Sequence, residues 1–331
     1  MHYAGIDLHR QNVVVAIETD SGPFGKAKQF PCRDVQAISR YFETLVPFRA
    51  VVEASSGYRW LYDLLSPMGE VILAHPRRLK AIVDGRAKTD KLDAALLAKL
   101  LRVDLIPEAY VPPESYARLR ELTRARARLS RHQAEAKREV QTLLAQRNVH
   151  VPVKTPFCKR WSLFVSRQDF GSVGNAARDE IYLRIVHYHK ELTKMDRAIE
   201  AVAPSFPEVE VLLPIRGIGL YTALLIVAEI GEPGRFQNGR QVGAYAGLTA
   251  QVNQSGGHCY YGHITKQGSK WLRWCLGQVA MKVLPDDPAL KRFYTRIRKR
   301  SNWRVARTAV ARKLAGICWQ RLNCWHNEHA A

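Results

Sequence analysis

An aspartate embedded in an apolar strand is the first demand this chain makes on a fold. Tyr3-Ala-Gly-Ile-Asp-Leu-His has the pattern of a short strand with Asp7 inside it. A buried carboxylate is costly unless it is paired or bound to a metal, so Asp7 needs partners from elsewhere in the chain. The residues that follow supply a sheet around it. Val13 to Ile17 reads as a second, β-branched strand, and Gly22-Pro-Phe-Gly as the turn into a third near Lys28 to Phe30. Helical periodicity covers residues 34–46. Arg49-Ala-Val-Val-Glu-Ala is a fourth strand ending at Glu53, a helix starts at Tyr58 and ends near Ser66, and Val71 to Ala74 is a fifth strand. This order predicts a mixed α/β sheet with helices covering it.

Further acids come with the next segment, Gly85-Arg-Ala-Lys-Thr-Asp-Lys-Leu-Asp-Ala-Ala. Asp90 and Asp93 are three apart on a predicted helix rich in alanine and leucine, so they share one face. Asp7, Glu53, Asp90 and Asp93 are therefore expected to converge at the carboxyl edge of the sheet. Four carboxylates in one cleft repel strongly without cations. Mg²⁺ with oxygen ligands resolves this, and two such ions about 4 Å apart serve in-line phosphoryl transfer. The alternative is structural: Asp90 caps its helix and Glu53 pairs with an arginine.

Charge divides the chain. Its net charge of +21 points to a polyanionic partner, nucleic acid above all. Residues 1–108 hold 15 Lys and Arg against 13 Asp and Glu; residues 109–331 hold 36 against 17. In the basic part, Leu119, Leu122, Leu129, Ala136, Val140 and Leu143 recur at heptad-like spacings, with arginines between Arg118 and Arg131 interleaved. Ile181, Ile185, Tyr188, Leu192, Met195, Ile199 and Val202 make a coiled-coil seam. Either the two helices form a hairpin within the chain, or the seam dimerises and the arginine stripe faces nucleic acid. Pro204 ends the second helix. Arg216-Gly-Ile-Gly before an apolar helix resembles a helix-hairpin-helix, whose glycine turn suits a phosphate. Residues 290–313 hold ten basic residues and no acid, with Phe293, Tyr294 and Trp303 between them. The six cysteines include no Cys-x-x-Cys pair, so free thiols are expected. No signal peptide and no apolar run of membrane-spanning length is visible.

Between these basic stretches lies a segment rich in glycine and hydroxyls, Tyr245-Ala-Gly-Leu-Thr through Ser255-Gly-Gly-His to Gly262-His-Ile-Thr-Lys-Gln-Gly-Ser-Lys. A serine on such a loop could attack a phosphodiester if something activates it; a surface hairpin with ordinary turn chemistry is the plainer reading.

Gly-Ile-Asp7, Glu53-Ala-Ser-Ser-Gly-Tyr and Lys-Thr-Asp90-Lys-Leu-Asp93-Ala, followed by Tyr-Ala-Gly-Leu-Thr, Ser255-Gly and Gly-His-Ile-Thr-Lys-Gln-Gly, resemble the DEDD transposases of insertion-sequence family one-ten over nearly the whole chain. The resemblance implies an RNase H-like (RuvC-like) mixed-sheet domain over 1–110, a helical coiled-coil region over 111–203, and a mainly helical transposase domain over 204–331 bearing the helix-hairpin-helix-like motif. It implies an enzyme of DNA strand exchange guided by a bridge RNA, with Asp7, Glu53, Asp90 and Asp93 holding two Mg²⁺ ions and Ser255 as nucleophile. Donor and target DNA, guide RNA and further copies of the chain, as a dimer or tetramer with a composite site, are the implied partners. Lys266, Lys270, Arg273, Arg296, Arg298, Lys299, Arg300 and Arg304 are the candidate nucleic-acid contacts. A cytoplasmic, nucleoid-associated protein is expected.

The chain departs from the family pattern at Arg216 and Ala250, where proline is common, and at His9-Arg10, where small residues or lysine are commoner. Two rival functions share these residues. A metal-dependent junction resolvase would use the acids with water as nucleophile; a non-catalytic scaffold would use them structurally. A tyrosine nucleophile (Tyr245, Tyr260 or Tyr261) is a variant of the transposase reading.

Overall fold

The computed structural model describes residues 1–55, 57–83, 90–255 and 258–329. It divides into two compact units, Met1–Val111 and Pro112–Ala331. In the first, the elements run β1 (His2–Leu8), β2 (Asn12–Thr19), β3 (Gly22–Pro23), β4 (Lys28–Pro31), α1 (Val35–Glu43), β5 (Phe48–Glu53), α2 (Tyr58–Leu65), β6 (Glu70–Ala74), α3 (Pro76–Val83) and α4 (Asp90–Arg102). The sheet order is β3-β2-β1-β5-β6, with β4 also paired to β2. β1 and β2 are antiparallel, while β5 lies parallel to both β1 and β6.

The inner strands are apolar almost throughout because helices cover both faces. Alternation sorts their side chains. Ala4, Ile6, Val13, Val15, Ala50 and Val52 share a core with Ile38 and Phe42 of α1 and Leu61 and Leu65 of α2. Val51, Ile72 and Ala74 pack on Leu79 of α3 and Leu97, Leu100 and Leu101 of α4, and Val14 and Ala16 pack on Ala94. Gly5 is what lets α4 lie directly on β1. A β-carbon at Gly5 would sit 2.0 Å from the Ala94 carbonyl oxygen and 2.3 Å from the Ala98 amide nitrogen.

The second unit begins with α5 (Glu114–Gln146), α6 (Lys159–Ser166) and α7 (Gly171–Val202). It continues with α8 (Leu220–Ile230), α9 (Gly239–Tyr245), the hairpin β7 (Ala250–Ser255) and β8 (His258–Ile264), α10 (Lys270–Val279), α11 (Pro288–Arg300) and α12 (Trp303–Glu328). α5 and α7 run antiparallel: Arg126 pairs with Asp196 at 2.9 Å, and Arg184 pairs with Glu139. The seam read from the sequence is thus covered within the chain. Ile181 packs with Ala136, Val140 and Leu144, and Ile199 joins Leu119 in the core that includes α8, α10 and α12.

The arginine stripe is also turned inward in part. Arg120 donates to the carbonyls of Ala228 and Glu229, and Arg124 grips the Glu229 carboxylate through Nε at 2.6 Å and Nη2 at 3.0 Å. The helix-hairpin-helix expectation is met on one side of its turn only. α8 follows Gly219, but the segment before it is a short 3₁₀ helix, Pro207–Val211. Proline explains this: Pro204, Pro207 and Pro214 remove donors and restrict the residues before them. Cys32, Cys158, Cys275, Cys318 and Cys324 are free, and burial pushes the Cys318 thiol up to about 12. No helix among the described residues is long and apolar enough to cross a membrane.

Candidate active site

Close packing of α4 on β1 decides where the acids meet. Gly5 and Asp7 point to the same face of β1, and Asp90, Ala94 and Ala98 follow one stripe of α4. The contact at Gly5 therefore sets the first turn of α4 beside Asp7. His9, two residues beyond Asp7, completes the group: its Nε2 lies 2.9 Å from Asp7 Oδ2 and 3.3 Å from Asp90 Oδ2. One ligand atom from each of Asp7, His9 and Asp90 falls within 4.8 Å of the others. Asp93 is half-buried one turn further along, and its charge acts on Asp7. Glu53 ends β5. Val52 pairs with Ile6, so Glu53 stands level with Asp7 on the neighbouring strand, exposed and outside the three-atom group.

Electrostatics match this crowding. Burial raises the Asp7 pKa above the ordinary carboxylate value, His9 opposes the rise, and Asp90 and Asp93 add to it. The donor set of carboxylate oxygens plus one imidazole nitrogen suits a divalent cation. Asp90 and Asp93 lie in the first turn of α4, where the helix dipole offsets part of the gathered negative charge.

The serine segment is a two-stranded hairpin, with Ser255 opposite His258 at its tip. Ser255 and His258 are described as strand backbone; their side chains and residues 256–257 lie outside the described residues. The hairpin stands on a tightly knitted base. Thr265 N donates to Thr249 O at 2.8 Å, Lys266 N to Gly247 O at 3.2 Å, and Ser269 N to Tyr245 O at 2.8 Å. Gly268, at φ +111°, makes this possible, since a β-carbon there would lie 2.0 Å from the Tyr245 carbonyl oxygen. The Ser269 hydroxyl donates to Glu229 Oε2 at 2.8 Å and accepts from Leu272 N as the cap of α10. The wholly buried Glu229 carboxylate thereby ties the hairpin base to Arg124 of α5.

Comparison with known proteins meets this geometry. Residues 4–148 match the DEDD transposase domain of the IS110 type, and residues 209–295 match the Transposase IS116/IS110/IS902 family. The first spans the acids and the second spans the hairpin. The chain carries two domains of the IS110-type transposases. The transposase for insertion sequence element IS1328 of Yersinia enterocolitica is 22% identical, over 95% of this chain and 95% of its own length. That for IS1533 of Leptospira borgpetersenii is 26% identical, over 72% of each. That for IS1111A of Coxiella burnetii is 22% identical, over 86% of this chain and 81% of its own length.

Around these IS110-type domains, the candidate nucleic-acid contacts differ in their surroundings. Lys266, Lys270, Arg296, Arg298, Lys299, Arg300 and Arg304 are exposed. The last turn of α11 carries three of them, and Trp303 lies under the guanidiniums of Arg304 and Arg307 at 5.5 and 5.3 Å. Arg273 is turned inward, donating to Ala246 O at 2.8 Å, and burial lowers its pKa. Tyr245 packs against Phe236, with ring centroids 5.5 Å apart, whereas Tyr260 is exposed. His9 is the site residue that sequence reading passed over. Its signal was the i, i+2 spacing from Asp7, which puts both on one face of an extended strand.

Proposed function

We propose that this transposase exchanges DNA strands under the guidance of an RNA, with Ser255 as nucleophile and the acidic group of the first unit as its metal site. The observation that carries the reading is the meeting of Asp7, Asp90 and His9 beside Asp93, with Glu53 on the adjacent strand end. An antiparallel β1–β2 pair continued by parallel β5 and β6, with acids at the ends of β1 and β5, supports an RNase H-like (RuvC-like) assignment for this unit.

Mg²⁺ held by these carboxylates would polarise the scissile phosphate and offset the charge that develops on it. Ser255 Oγ would attack phosphorus, giving up its proton, while the bond to the leaving strand oxygen breaks and that oxygen is protonated. The resulting phosphoserine keeps the bond energy, so a hydroxyl of another strand can reverse the step without an external energy source. The glycine-locked base at 245–249 and 265–269 supports the hairpin at a fixed root. Lys266 and Lys270 would meet flanking phosphates as point charges. By the resemblance, the active form is a homo-oligomer.

Ser255→Ala tests the chemistry. It should keep nucleic-acid binding and lose both cleavage and rejoining, and wild-type protein on a nicked suicide substrate should give an adduct mapping to the Ser255 peptide. Free ends released at the normal site by Ser255→Ala would replace this reading with the hydrolytic nuclease. Sequencing of RNA that co-purifies with the protein tests the guide: one discrete species encoded beside the element is expected, and random cellular RNA would remove it from the proposal.

A further inference from the structure

We propose that His9 is a direct ligand of the cation at Asp7 and Asp90, and that its imidazole shifts the site's preference from Mg²⁺ towards a transition ion such as Mn²⁺. This rests on the metal reading of the acidic group and deepens it. Neighbouring ligands on an octahedral ion with bonds of about 2.0–2.1 Å lie roughly 3 Å apart. Nε2 of His9 stands at 2.9 and 3.3 Å from the two carboxylate oxygens, the spacing of neighbouring ligands around one ion, and the three ligand atoms all fall within 4.8 Å of one another.

The imidazole is held there by its backbone. The His9 amide donates to Asn12 O at 2.9 Å in the turn between β1 and β2, and the His9 carbonyl accepts from Cys32 Sγ at 3.4 Å. With the backbone so fixed, its ring reaches both Asp7 and Asp90. Glu53 lies outside this close group, so the nitrogen stands among the nearest donors where an all-oxygen set would otherwise serve. Carboxylate and water oxygens suit Mg²⁺, whereas imidazole favours first-row transition ions. Mn²⁺ accepts both donor types and is paramagnetic, which makes it the probe.

The experiment titrates Mn²⁺ alone into the full-length protein, following free Mn²⁺ by electron paramagnetic resonance. Electron spin-echo modulation then reads nitrogen bound to the ion. Wild type should show ¹⁴N modulation from one coordinated imidazole. His9→Ala and His9→Lys should lose that modulation and bind Mn²⁺ about tenfold more weakly or worse. Mg²⁺, measured by competition, should change much less. Mn²⁺ binding that Asp7→Asn abolishes, but that shows no ¹⁴N modulation or is unchanged by both His9 variants, would overturn the inference and leave the acidic site intact. Mn²⁺ binding equal in wild type and Asp7→Asn would overturn the metal reading, and the role of His9 with it. Two His9 variants with opposite side-chain character keep a folding defect in one from deciding the outcome.

Discussion

The Asp7 carboxyl is held where its own charge is disfavoured. Burial raises its pKa, His9 opposes this, and Asp90 and Asp93 raise it further. A group whose pKa is higher in the folded chain favours folding in its neutral form. That contribution is complete below the ordinary carboxylate pKa and is lost as pH rises through the raised folded value. Asp7→Asn fixes the neutral form. In EDTA at pH 7–8 the variant should therefore melt above wild type, by on the order of 1–3 °C, and the advantage should shrink as pH falls through the carboxylate range. On the proposed metal site Mg²⁺ should reverse the ranking, because a ligand that binds only the folded state stabilises it and the variant would lack one of the groups that hold it. Differential scanning fluorimetry at several pH values, with and without Mg²⁺, checks both halves. A variant that melts below wild type in EDTA at pH 8 would show that Asp7 is a structural ion-pair partner, as the scaffold alternative requires.

At the scale of elements, the site depends on how closely a helix lies on a strand. Gly5 has no side chain to hold α4 away from β1, and Ala94 and Ala98 present only methyl groups there. Gly5→Ala places a methyl within about 2 Å of the α4 backbone, so α4 must move. Overpacking of this kind costs about 1–3 kcal/mol, at times more. The variant keeps every carboxylate, yet it should lose the Mg²⁺-dependent rise in melting temperature as Asp7→Asn does. Retention of that rise would mean that the acids do not need the close contact. The sequence revealed the strands and the two acids of α4 because periodicity and chain order are local signals. It did not reveal why Gly5 matters or that His9 joins Asp7 and Asp90, since both depend on contacts between residues more than eighty apart in the chain. The seam of α7 was legible as a seam, but its partner was not: apolar residues at heptad spacing look the same whether α5 or a second chain covers them. Arg120, Arg124 and Arg273 read as basic surface by composition, and it took the carbonyls and carboxylate facing them to show that they hold the fold.

Across the whole molecule, charge and chemistry are separated. The acids of the candidate metal site belong to a unit that is nearly neutral by sequence, while the excess of positive charge belongs to the residues after it. Basic side chains in that second unit fall into two groups. Arg124 and Arg273 answer internal acceptors, whereas Arg298 and Arg300 project from the last turn of α11 into solvent. Only the second group can release counterions when a phosphate backbone binds. Each phosphate neutralised on duplex DNA contributes a slope of about −0.9 to the dependence of log affinity on log salt. Replacing both Arg298 and Arg300 by glutamine should therefore flatten the slope by up to about 1.8, with the melting temperature little changed. Arg273→Gln should do the opposite: it leaves the Ala246 carbonyl without its donor and lowers thermal stability, while the salt slope stays near that of wild type. Fluorescence anisotropy with a labelled 30-base-pair duplex between about 50 and 200 mM salt, the range over which such contacts are felt strongly, measures the slopes. If the α11 double variant keeps the wild-type slope, the last turn of α11 does not touch the phosphates, and the basic surface that does must be sought among Lys266, Lys270, Arg304 and Arg307.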